Sequence, residues 1–70
     1  MTPTIMRQVW DLIENTQANI LLKQDDPSLV AWLLSQLSHR RELAQQEVEV
    51  VSDYLRSRTA LIRDLAAQRY

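Results

Sequence analysis

Glycine, cysteine and phenylalanine are all absent from this chain, and proline occurs only twice in its 70 residues. Without cysteine there is no disulfide, and one histidine alone does not supply a structural zinc site. Without glycine, the type I′, II and II′ turns lose their preferred residue, so a sheet built from hairpins is not expected. Glycine-rich loops that cradle phosphate are excluded for the same reason. The longest apolar run, Leu29 to Leu34, falls far short of the ~20 residues that span a bilayer. No basic segment leads into an apolar stretch at the start, and no lipidation motif is visible. These absences read as a soluble, cytoplasmic protein with no membrane partner.

Catalytic chemistry is equally scarce. His39, the one histidine, lies between Ser38 and Arg40, with no cysteine or second histidine in the chain to join it. It reads as an exposed structural residue. Asp25-Asp26 offers two carboxylates in a short connection, without the further oxygens that calcium needs. A helix cap is the better use for them. Glu42, Glu47, Glu49, Asp53 and Asp64 are strung along one stretch and read as a solvated face. No nucleophile–base pair stands out, so no catalytic residue, cofactor or metal site is expected and the chain is not read as an enzyme.

What the sequence does contain is helix. Thr2-Pro3 and Asp26-Pro27 each place a capping oxygen before a proline suited to the first helical turn. Ile5, Val9, Leu12, Ile13, Ile20 and Leu21 then recur at helical spacing. This predicts a first helix over about 3–23 and a polar connection over 24–26. Beyond Pro27 there is neither glycine nor proline. A seam runs Leu34, Leu37, Arg41, Ala44, Val48, Val51, Leu55, Arg58, Ile62, Leu65, Arg69, with spacings of three and four in strict alternation. A long helix over about 27–69 follows, roughly 65 Å at ~1.5 Å per residue. The competing reading breaks it near Ser38-His39-Arg40 into a three-helix bundle. No glycine or asparagine there can take a left-handed C-cap, which favours continuity. The expected fold is therefore all-α, a single domain over 1–70: a short helix folded against a long one as a helical hairpin.

The unequal lengths have a consequence. The first helix covers the second only to about Gln45, leaving an apolar overhang over 46–70. A core this small supplies only ~3–5 kcal/mol on its own, and an exposed stripe of large aliphatics marks an interface. The expected outcome is a homodimer or higher homo-oligomer of bundled helices. Its interface is expected at Val48, Val51, Leu55, Arg58, Ile62 and Leu65, with the tails overlapping antiparallel about a two-fold axis near Leu55. Trp10 and Trp32 both read as core tryptophans. Apolar neighbours on every side of residues 29–37 also mark Trp32 as a candidate partner contact, together with Arg56 and Arg63.

Functionally, this points to a non-enzymatic interaction module, an adaptor, regulator or assembly factor with a protein partner. The alternatives are a subunit of a larger complex and a nucleic-acid-binding dimer. The latter would use Arg40, Arg41, Arg56, Arg63 and Arg69, arginine being suited to forked recognition of phosphate. A net charge of −1 and a pI near 5.7 oppose non-specific phosphate binding.

Overall fold

Two adjacent polar side chains end the first helix earlier than its apolar spacing suggests. The computed structural model of the chain describes residues 2–69, and α1 runs over Pro3–Asn15. Thr2 caps it as expected, its Oγ1 accepting the Ile5 N–H at 3.2 Å. At the far end the Asn15 side-chain amide donates to the Asp11 carbonyl and the Thr16 hydroxyl to the Leu12 carbonyl, both at 2.7 Å. Side chains that bond back to the last turn compete with helix continuation. Thr16 then turns to extended backbone, and α2 restarts over Ala18–Lys23. The single helix expected over 3–23 is thus two.

Asp25 is the residue that caps α3 (Asp26–Arg40), its Oδ1 accepting the Ser28 N–H at 3.0 Å. Hydrogen bonds from the Ser28 hydroxyl and N–H, with Arg63 nearby, hold the Asp25 carboxyl below its ordinary value of 3.8. The expected cap, Asp26, instead opens the helix and meets Arg63 of the last helix, 2.7 Å away.

The long helix expected over 27–69 is three helices. After α3 the chain runs non-helical through 41–44, then forms α4 (Gln45–Ser57) and α5 (Thr59–Arg69). The break lies just past the Ser38-His39-Arg40 stretch, and it needs no left-handed residue. Arg41 leaves α3 with φ −154° and ψ 150°, and no described residue has positive φ. Missing glycine therefore does not forbid a break; α1, α2 and α3 all end in extended backbone instead. The gain is large. Folding back takes Val51, Leu55 and Ile62 to 1% exposure or less, and burying each such side chain stabilises by ~1.5–3 kcal/mol. The few helical hydrogen bonds given up are worth only ~0.5–1.5 kcal/mol each, net. Between α4 and α5 the backbone pauses for one residue, Arg58, at φ −117° and ψ 9°.

In the assembled fold α3 is central, with α1, α4 and α5 against it, while α2 packs on α5. Leu29, Leu33 and Leu37 of α3 meet Ile5, Val9 and Ile13 of α1 in a core that also takes in Leu21 and Ala66. The molecule measures 33 × 20 × 18 Å with a radius of gyration of 11.3 Å, against about 11 Å for a compact chain of this length. Neither a 65 Å helix nor a two-helix hairpin is present among the described residues.

Candidate functional site

Folding back removes most of the apolar overhang that was to form the oligomer interface. Val51, Leu55 and Ile62 are core residues of the single chain. Their periodicity marks an apolar face correctly, but the same chain covers it. Of the other expected interface residues, Val48 is half-buried and Leu65 remains exposed, as does Leu61 one turn before it. Arg58 is exposed and lies over the Tyr54 ring at 5.3 Å. Tyr54 in turn accepts the Trp10 indole N–H at 2.9 Å, the two rings edge to face at 6.4 Å. This α1–α4 contact joins residues 44 apart, and nothing local to either residue announces it.

The residues marked as partner contacts part company. Trp32 is half-buried against the core, one edge in a notch between α3 and the α1–α2 joint, beside Ile20 and Arg40. Arg63 is engaged within the chain: its guanidinium donates to Asp26 Oδ1 and to the Gln24 carbonyl, tying α5 to the α2–α3 connection. Arg41 donates to Gln8 Oε1 at 3.1 Å, and its Nε is buried with no partner among the described residues. Arg40 and Arg56 stay exposed but line different grooves, and the Arg69 side chain falls outside the described residues. Of the described arginines of the nucleic-acid reading, Arg40 and Arg56 thus border separate grooves, while Arg41 and Arg63 are engaged within the chain.

Arg56 lines both a groove and the notch beside it. The groove, of about 380 Å³, runs between α3 and α4, floored by Val30, Ala31 and Leu34 and reaching Pro27 and the Arg63-paired Asp26 at one end. Ser52 and Arg56 of α4 and Thr59 of α5 form its other wall. It adjoins a shallow notch on the outer side of α4, where Val48, Glu49 and Asp53 join Ser52 and Arg56. Glu49, Asp53 and Arg56 are exposed and form no hydrogen bond or ion pair through their side chains among the described residues. The floor follows from the all-round apolar character of 29–37. Leu29, Leu33 and Leu37 go to the core, which leaves Ala31 and Leu34 toward the surface. Ser52 carries no sequence signal.

Among the described residues no three His, Cys, Asp or Glu side chains gather as metal ligands, and no helix is long and apolar enough to cross a membrane. Comparison with known protein families, curated proteins and solved structures finds no match to this chain.

Proposed function

We propose that this chain is a small non-enzymatic interaction module of the cytoplasm, an adaptor, regulator or assembly factor that receives a helix along its α3–α4 face. One observation carries the reading: an apolar groove bordered by Arg56 and continued by a notch with Glu49 and Asp53, three charged side chains that form no hydrogen bond or ion pair among the described residues. Helix-in-groove recognition uses this combination, apolar anchors on the floor and polar contacts at the rim. The groove lies near the lower end of small-molecule pocket volumes, ~300 Å³, and it continues along α4. That shape suits an elongated occupant. The nucleic-acid reading is served less well, because Arg41 and Arg63 already bond within the chain.

Ala31→Arg tests the proposal. Ala31 is exposed on the groove floor, so a long charged side chain there blocks the groove without entering the core. Tagged wild-type chain should retain a partner from host lysate, or pair with itself, and the variant should do neither. Equal retention by both proteins places binding elsewhere. Salt-sensitive binding to RNA or duplex DNA, lost in Arg40→Ala/Arg56→Ala, establishes the nucleic-acid alternative instead.

A further inference from the structure

This inference rests on the reading of the α3–α4 face as a docking surface, and it names what docks there. We propose that the face pairs with the same face of a second copy of this chain. The two α4 helices lie antiparallel about a two-fold axis that passes between Ser52 and Asp53.

A two-fold contact needs a surface complementary to itself, and α4 carries one. Glu49 and Arg56 stand on either side of Ser52 and line the same notch. They are about two turns apart, ~10 Å along the helix at ~1.5 Å per residue, too far to neutralise each other. Both are exposed and unpaired among the described residues. Turning a second α4 end for end about the Ser52–Asp53 midpoint sets Glu49 of each copy opposite Arg56 of the other, forming two ion pairs. It also sets the Ser52 hydroxyl, which has no hydrogen bond among the described residues, against the other copy's Asp53 carboxylate. A parallel pairing would instead put Glu49 on Glu49 and Arg56 on Arg56. The charge pattern therefore selects both the partner and its direction.

Apolar packing agrees with this arrangement. Pro27, Ala31 and Leu34 fall on one stripe of α3, at spacings of four and three, and α3 and α4 present their groove side together. Two such faces laid together form a four-helix layer, with Ala31 and Ser52 small enough to let the backbones approach. The Asp26–Arg63 pair at one end of the groove ties α3 to α5 and involves neither Glu49 nor Arg56.

The experiment is sedimentation equilibrium on the full chain across a concentration series, on wild type, Glu49→Arg, Arg56→Glu and an equal mixture of the two variants. Both positions are exposed, and far-UV circular dichroism confirms that each variant is folded. Wild type should reach twice the 8.2 kDa chain mass. Each charge reversal alone should weaken the dimer about tenfold or more, since it turns two attractive contacts repulsive. The mixture should dimerise again. There the Glu49→Arg site of one copy faces the Arg56→Glu site of the other, and the two unaltered positions face each other as before, so both cross-pairs are again of opposite charge. A wild type that stays at 8.2 kDa overturns the proposal. So does a dimer indifferent to both reversals, or a mixture that fails to recover. If wild type is monomeric yet holds a host protein that Ala31→Arg loses, the second copy is refuted and the docking face stands.

Discussion

Arg63 shows how one side chain can fix a connection that its own neighbours leave open. Its guanidinium spans the Asp26 carboxylate and the Gln24 carbonyl, and its side chain is 28% exposed. Replacement by methionine keeps the apolar stem and removes every donor. The ion pair with the exposed Asp26 contributes little, ~0–1 kcal/mol, and the charged hydrogen bond to the carbonyl more, so Arg63→Met should cost about 1–2 kcal/mol. A urea titration reads this as a lower midpoint, and added salt should shrink the difference. An unchanged midpoint would show that the clamp contributes nothing. Asp25 gives the second residue-level expectation. Its carboxyl titrates below 3.8 in the folded chain, so the folded state binds its proton less readily than the unfolded one. The cap's contribution is complete above the unfolded value and declines as pH falls through the folded one. Asp25→Asn, which keeps a capping oxygen, should flatten that part of the stability–pH curve; a curve of unchanged slope would assign acid sensitivity to other carboxylates. Thr2 was legible as a cap because it had no rival. Between Asp25 and Asp26 the choice goes with Arg63, 37 residues away, and no local pattern holds that information.

At the scale of elements, the apolar stripes were legible and the places where helices stop were not. Val51, Leu55, Ile62 and Ala66 keep helical spacing and are all buried. Periodicity says which side of a helix is apolar and is silent on what covers it. A second chain and a fold-back of the same chain satisfy the pattern equally, and the loop over 41–44 decides between them. The clue to the α1–α2 joint was Asn15-Thr16, two residues whose side chains reach back to α1 carbonyls. The α4 start is incompletely capped. Glu47 accepts the Ala44 N–H at 3.0 Å, but alanine has no oxygen to return the bond. Ala44→Ser completes that exchange and should stabilise the fold by about 0.5–2 kcal/mol. Thermal melting checks it; an unaltered midpoint would show that α4 frays before the fold does.

On the scale of the whole molecule, the last helix belongs to the core. Ile62 and Ala66 are fully buried, and α5 packs on α2, α3 and α4. Deleting residues 59–70 removes a burial worth ~1.5–3 kcal/mol for Ile62 alone, from a fold whose size supplies only ~3–5 kcal/mol in total. It also uncovers Leu21 on the facing helix. The shortened chain should lose its cooperative thermal transition by circular dichroism. A chain that still melts sharply, merely associating less, would return α5 to the role of an external arm. Helical class and a single core were readable from composition. The global path was not, because it depends on Trp10 meeting Tyr54 and Arg63 meeting Asp26 across the chain.

The joints of this fold, all at negative φ, bear on the denatured chain as much as on the native one. Gln17 sits at φ −61° and ψ 139°, its backbone N–H makes no hydrogen bond among the described residues, and Thr16 before it is extended. Those are the conditions under which proline fits without strain. Gln17→Pro would leave the folded contacts as they are and restrict the ensemble the chain visits when unfolded, a gain of about 0.4–1 kcal/mol. Calorimetry should show a higher melting temperature with undiminished helix; a lower one would reveal a hidden demand on that N–H. A domain jointed in this way can be hardened without adding a single contact.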